Sequence, residues 1–74
     1  MAKDKAWEGR VKGLLKAELK RRNIGYRGLA ERLEKLGVID SERNIANKIS
    51  RGGFTAVFLV QCLIAIGAEE LRLS

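Results

Sequence analysis

Apolar residues recur at spacings of three and four positions in four successive segments of this chain, and glycine or asparagine follows each segment. That spacing places the apolar side chains on one face of an α-helix. Glycine and asparagine are favoured just beyond helix C-termini, and the chain contains no proline. The sequence therefore predicts an all-α fold, a compact bundle of four to five short helices.

The predicted helices can be placed by their apolar positions and by their caps. Their approximate bounds are residues 4–22, 26–36, 42–51 and 55–66. Ser41 and Thr55 stand just before the third and fourth helices, and a hydroxyl oxygen at that position can accept a hydrogen bond from a free backbone N–H group. We therefore expect both residues to act as N-caps.

Several apolar residues outside the central helix faces are also expected to pack. Trp7 belongs to the apolar face of helix one, and Val38 and Ile39 are expected to connect helices two and three through the core. The tail, residues 68–74, is expected to form one more helical turn and to pack one of its two leucines against the body. These side chains would complete the small core.

Length and residue usage limit the chemistry of this chain. Its 74 residues can hold one domain with one core, so residues 1–74 are interpreted as a single domain. There is no histidine, the carboxylates are not clustered, and Cys62, the one cysteine, lies in an apolar segment. Acid–base, metal and thiol catalysis lack the groups they need. We expect no enzyme activity, no cofactor, no metal and no small-molecule substrate.

The chain is strongly basic, with 15 Lys and Arg residues against 9 Asp and Glu residues, a net charge of +6 and a pI near 10.0. Seven of the cations lie between Arg10 and Arg27, where Glu18 is the one acidic residue. A concentrated basic surface attracts nucleic acid by neutralising phosphates, and an anionic membrane surface would respond to the same field. Lysines that only solvate a helix face have the same composition, so charge alone leaves these alternatives open.

The sequence does not indicate a membrane or secretory location. The segment Met1–Trp7 is polar and lacks the apolar stretch of a secretory signal. No apolar run reaches the length of about 20 residues that spans a bilayer. A single cysteine is compatible with a reducing compartment. We therefore expect a cytoplasmic protein with no membrane partner.

Two segments carry a family resemblance: Ile24–Ala30, with the sequence IGYRGLA, and Asn47–Gly52, with the sequence NKISRG. The first resembles the stretch that opens the second helix of Cro/repressor-type, or lambda-repressor-like, helix-turn-helix domains, and the second resembles the end of their recognition helix. Gly25 and Tyr26 stand where that family favours serine and glutamine, and the connection between helices two and three is longer. The whole chain is also similar to a bacterial family of small proteins known only as a domain of unknown function.

The helix-turn-helix resemblance implies that helix three enters the major groove of double-stranded DNA and reads bases with its N-terminal half. Arginine and lysine can donate to guanine, and asparagine can pair with adenine. The candidate base contacts are Arg43, Asn44, Asn47 and Lys48. The candidate phosphate contacts, which are cations or short hydroxyls near helix starts and loop edges, are Arg27, Ser41, Ser50, Arg51 and Thr55.

Helix four is apolar almost all round, which predicts burial on several sides. One of its faces suffices to close the core, and Val57, Val60 and Ile64 on another flank are interpreted as a homodimer interface. The expected function is a sequence-specific DNA-binding transcriptional regulator, a simple repressor from a bacterium or phage, acting as a homodimer. The alternatives are a protein-interaction module that docks through residues 55–66, and an RNA or nonspecific nucleic-acid binder.

Overall fold

Four α-helices follow one another along residues 2–73, the part of the chain that the computed structural model describes, with side chains described for residues 5–73. They are α1 (Ala2–Arg21), α2 (Tyr26–Lys35), α3 (Glu42–Arg51) and α4 (Ala56–Ala65). No strand occurs within these residues, and the radius of gyration is 11.7 Å. The predicted all-α fold is confirmed, and the predicted helix positions agree closely with the observed ones.

The helix starts that were predicted from cap residues are confirmed. The Ser41 hydroxyl oxygen accepts a hydrogen bond from the Asn44 backbone N–H at 3.0 Å, which caps α3. The Thr55 hydroxyl oxygen accepts one from the Phe58 N–H at 3.1 Å, which caps α4. Gly52 ends α3 in the left-handed conformation, with φ of +74°. Cap chemistry therefore sets both ends of α3.

The core is formed by the inward faces of all four helices. Helix α3 packs against α1 and α2, and α2 packs against α4. The buried apolar side chains are Leu15, Leu19, Leu29, Leu33, Ile45, Ile49, Phe58, Cys62, Ile66 and Ala68. Each helix contributes residues three or four positions apart, as the sequence pattern predicts. Burial of Cys62 in this core confirms its interpretation as a packing residue.

Two apolar expectations, those for Trp7 and Ile39, are wrong. Trp7 is 63% exposed, because it lies near the start of the long helix α1, and the guanidinium carbon of Arg10 lies 5.7 Å from the centre of its ring. Ile39 is 75% exposed, because its neighbour Val38 is the residue of this connection that packs on the core. In α4, by contrast, the exposed flank lies where the sequence predicts it, since Phe58 and Cys62 are buried and Val57, Val60 and Ile64 are exposed on the single chain.

The C-terminal tail also differs from its prediction. Residues 68–73 contain no helical turn, and Leu73 is 68% exposed, whereas Leu71 is partly buried. The Ala68 N–H donates to the Leu63 carbonyl at 2.8 Å and thereby closes α4, so the chain leaves the helix at this point. Ser74, the last residue of the predicted turn, lies outside the described residues. The tail adds the buried Ala68 to the core, but no fifth helix within residues 2–73.

Candidate nucleic-acid interface

Helix α3 has one buried face and one solvent-exposed face. Ile45 and Ile49 are fully buried against the core, with no exposed surface. The polar residues selected from the sequence are all exposed: Arg43, Asn44, Asn47, Lys48, Ser50 and Arg51. Helix α3 therefore presents its polar side chains to solvent while two isoleucines anchor it.

Helical spacing divides these exposed residues into two groups. Arg43, Asn47 and Ser50 are separated by four and three positions, and Arg51 lies four positions after Asn47, so these four share the side of α3 that points away from the core. We call these four residues the outer face of α3. Asn44 lies on the adjoining side, toward the Asp40 carboxylate, whose pKa it helps to lower. The structure thus brings two candidate base contacts and two candidate phosphate contacts together.

Lys48 is oriented differently, toward the connection before α3. Its ammonium lies 2.6 Å from the Asp40 carboxylate and 5.1 Å from the centre of the Phe58 ring. The side chains of Lys48 and Asp40 are 49% and 15% exposed. The hydrogen bond from Lys48 is the main cause that lowers the pKa of Asp40, and the nearby Asn44 adds to the effect. A base contact by Lys48 would therefore require this ion pair to open.

Lys12 extends the basic surface at the other end of α3. Its ammonium donates to the Ser50 backbone carbonyl at 3.2 Å, and a cation at a helix C-terminus interacts favourably with the helix dipole. This places Lys12 beside the outer face of α3. Lys12 belongs to the basic segment identified in the sequence. Its contact with Ser50 could not be predicted there, because Lys12 and Ser50 are 38 positions apart.

Two arginines of the basic segment form ion pairs with a buried carboxylate of the same helix. Glu18 is 3% exposed, and both Arg21 and Arg22 form ion pairs with its carboxylate. The Arg21 pair has an N–O distance of 3.2 Å, and the Arg22 guanidinium also donates to the Glu18 backbone carbonyl at 3.4 Å. Two of the seven clustered cations therefore neutralise a buried carboxylate at the end of α1, which reduces the charge that this segment offers to an external anion.

The other candidate phosphate contacts lie at helix starts. Arg27 is exposed in the first turn of α2, and Ser41 and Thr55 are exposed caps of α3 and α4. Each cap uses its hydroxyl oxygen as the acceptor of a backbone N–H, so the hydroxyl hydrogen remains a possible donor to a phosphate oxygen. These three residues come from different helices, and each is open to solvent.

Helix α4 carries an exposed flank that we call the apolar stripe, formed by Val57, Val60 and Ile64. Their exposed fractions are 66%, 52% and 59%. They lie three and four positions apart, and α4 contains no charged residue. The stripe is therefore an uncharged apolar surface on a chain of net charge +6.

Within the described residues, no group of three His, Cys, Asp or Glu side chains is arranged to hold a metal ion. Burial of the Cys62 thiol raises its pKa to about 12, although the charge of Lys48 acts in the opposite direction. No helix among residues 2–73 is long and apolar enough to cross a membrane.

The fold and these surfaces define a small, basic, all-α domain with a polar outer face on α3 and an apolar stripe on α4. Residues 7–71 match the family model described as Domain of unknown function (DUF6471), and the chain belongs to this family. This confirms the resemblance of the sequence to a family known only as a domain of unknown function. Searches of curated proteins and of solved structures found no match.

Proposed function

We propose that this domain is a sequence-specific DNA-binding transcriptional regulator that places the outer face of α3 in the major groove. The observation that carries the proposal is this face itself, where Arg43 and Asn47 lie together in solvent on a helix anchored by two buried isoleucines. A helix with one exposed face fits the width of the major groove of B-form DNA.

The side chains of this face have the chemistry of base recognition. The guanidinium of Arg43 can donate two hydrogen bonds to one guanine, and the amide of Asn47 can both donate to and accept from one adenine. Asn44, on the adjoining side, has the same capacity. Each good bidentate contact discriminates between bases by about 1–3 kcal/mol. A short helix with these residues can therefore select a sequence.

Cations and hydroxyls around this face would position the domain on the DNA backbone. Arg51 and Ser50 lie at the C-terminal end of the outer face, and Lys12 lies beside them. Arg27, Ser41 and Thr55 are exposed at the starts of the other helices. Contacts of this kind supply affinity that depends on salt and not on sequence.

The helix-turn-helix arrangement is part of this proposal. In such domains the second of two packed helices lies in the major groove, while the first crosses the DNA backbone. Here α2 and α3 pack against each other, and residues 36–41 connect them. This packing and the Cro/repressor-type resemblance of Ile24–Ala30 and Asn47–Gly52 support the assignment of α3 as the recognition helix. The proposal implies a bacterial cytoplasmic protein.

A homodimer is the proposed active form, and the apolar stripe of α4 is its proposed interface. Val57, Val60 and Ile64 are each more than half exposed on the one chain. Burying them against the same stripe of a second copy would remove apolar surface from water without pairing like charges, since α4 carries none. Two copies related in this way would read half-sites about one helical turn apart.

Selection from a pool of randomised duplex DNA tests the proposed function. The purified protein is used at low and at near-physiological salt, which separates electrostatic adhesion from base recognition. A recovered palindromic motif is expected. Binding that yields no motif would contradict sequence recognition and would favour a nonspecific nucleic-acid binder.

A second candidate function is a protein-interaction module that docks a partner through α4. The specific observation in its favour is the apolar stripe, which is exposed and uncharged. In this case the basic surface would serve solubility or steering. Absence of binding to any duplex at low salt, together with a monomeric chain, would favour this candidate.

A further inference from the structure

Asp40 lies in the connection between α2 and α3 and contacts residues on both sides of the start of α3. One carboxylate oxygen accepts a hydrogen bond from the Ser41 N–H at 2.9 Å, and the other lies 2.6 Å from the Lys48 ammonium. Asn44 also lies close enough to contribute to the lowered pKa of this carboxylate. One acidic side chain, 15% exposed, thus bonds two residues that the sequence indicates as DNA contacts, Ser41 and Lys48.

The position of Lys48 is restrained from a second direction. Its ammonium lies 5.1 Å from the centre of the Phe58 ring, so the cation is placed near the aromatic ring as well as the Asp40 carboxylate. Phe58 is 6% exposed and belongs to the core, and therefore provides a rigid surface. The Lys48 side chain follows the flank of α3 and does not project with the outer face.

An unpaired lysine at this place would have a definite effect on DNA binding. A lysine that reaches a phosphate binds any sequence, and each neutralised phosphate steepens the dependence of log K on log salt concentration by about 0.9. A carboxylate that holds the lysine removes that contribution and itself repels phosphates. The ratio of specific to nonspecific affinity is therefore higher when the pair is closed.

We infer that Asp40 is a specificity-determining residue, which holds Lys48 in an internal ion pair so that the outer face of α3 meets DNA without a lysine that binds every sequence. This inference rests on the proposed DNA-binding function. It assigns Lys48 to neither base nor phosphate contact in the bound state. Asp40 acts through Lys48 and is a positioning residue, because its role does not require it to touch DNA.

The test compares binding of fluorescent duplexes by four proteins over a series of salt concentrations: the unaltered chain, Asp40→Asn, Lys48→Gln and the double variant. The duplexes are a selected site and a random sequence of equal length. In Asp40→Asn the released lysine is expected to reach a phosphate, so the salt slope steepens by about 0.9 and the preference for the selected site falls. The double variant should return to the slope of the unaltered chain.

Lys48→Gln alone provides an independent result if Asp40→Asn does not fold. Its salt slope is expected to lose much less than the value of about 0.9 for one phosphate contact, because the paired lysine makes no DNA contact, whereas the freed Asp40 carboxylate should weaken binding to every duplex. The charge-matched control for Asp40→Asn is Glu70→Gln. It removes an exposed carboxylate after α4 and should leave the salt slope unchanged. A thermal melt of each variant establishes that it is folded.

The outcomes separate the inference from the proposed function. An unchanged slope in a folded Asp40→Asn protein, or a slope that is shallower by about 0.9 in Lys48→Gln, overturns the inference and leaves DNA binding intact. Failure of the unaltered chain to bind any duplex at low salt overturns the proposed function and the inference together. An equal change in Glu70→Gln would show that overall charge, and not the Asp40–Lys48 pair, sets the slope.

Discussion

Gly52 lies directly against the backbone of Glu8. This contact packs the end of α3 against the first half of α1. A side-chain carbon at Gly52 would lie 2.9 Å from the Glu8 carbonyl carbon, closer than real contacts of this kind. Gly52 also has φ of +74°, the left-handed region that glycine adopts most easily. Glycine is therefore required here for two independent reasons.

Gly52→Ala should therefore lower the free energy of unfolding by more than conformation alone explains. The left-handed conformation costs a non-glycine residue about 1–2 kcal/mol. Displacement of Glu8 should add a further loss of about 1–3 kcal/mol, as for other overpacked sites. Gly37→Ala is the matched control, since Gly37 has φ of +86° and open space around it. Urea unfolding measures the free energy of unfolding of both variants. Equal losses in the two variants would contradict the close contact.

Substitutions on α3 should separate base recognition from phosphate binding. Arg43→Ala or Asn47→Ala is expected to reduce discrimination at one position of the selected site by about 1–3 kcal/mol. Arg27→Ala or Arg51→Ala should instead weaken binding to all sequences and flatten the salt dependence by about 0.9 per contact. Competition binding with single-base variants of the site makes this comparison. The assignment of roles fails if all four variants have the same profile.

Val60→Glu should abolish self-association without unfolding the chain. Val60 lies within the apolar stripe and is 52% exposed, so the isolated fold can accept a charged side chain there. Two glutamates facing each other across a two-fold axis would repel. Sedimentation velocity should show a monomer, and affinity for a palindromic site should fall. Ile39→Glu, at a residue that is 75% exposed but outside the stripe, should remain dimeric.

The two arginines that contact Glu18 should contribute unequally to stability. Arg22 is 29% exposed and bonds both the side chain and the backbone carbonyl of Glu18, so Arg22→Ala should cost about 1–3 kcal/mol. Arg21 is 54% exposed and should contribute less than about 1 kcal/mol. Chemical denaturation of the two alanine variants compares them directly. A larger loss for Arg21→Ala would contradict the assignment of Arg22 as the principal partner.

The buried thiol of Cys62 should make the free energy of unfolding depend on pH in the alkaline range. Its pKa in the folded chain is about 12, raised by burial, whereas an unfolded cysteine ionises at about 8.5. The folded state excludes the thiolate, so this contribution is fully present below pH of about 8.5 and is lost as pH rises toward the folded pKa. Between pH of about 8.5 and about 12, the free energy of unfolding of Cys62→Ala should therefore decrease less than that of the unaltered chain. Rapid maleimide labelling of the folded chain at pH 8 would contradict burial.

The sequence predicted the local structure well because helices and caps depend on neighbouring residues. The hydroxyls of Ser41 and Thr55 bond backbone groups three positions away, a distance that periodicity and cap preference describe. Gly37 and Gly52 were recognisable as helix ends for the same reason. The apolar stripe was also predictable, since three residues on one helix define it.

The errors arise where packing between distant segments decides the outcome. Trp7 has helical spacing, but only the packing of α1 against α3 determines that it stays in solvent. Lys12 reaches Ser50 across 38 positions, and no local pattern contains that contact. The pairing of Lys48 in α3 with Asp40 in the preceding connection spans 8 positions and redirects a side chain that the sequence placed with the candidate DNA contacts. Such relations require the tertiary structure.

Helix α3 is held at both ends before it meets any ligand. Near its start the Ser41 cap fixes the first turn, and at its end Gly52 rests on the backbone of Glu8 while Lys12 bonds the Ser50 carbonyl. If α3 reads DNA as proposed, little backbone entropy remains for it to lose on association, in contrast to segments that fold as they bind. Calorimetry should then yield a heat-capacity change that reflects only the apolar surface buried between protein and duplex.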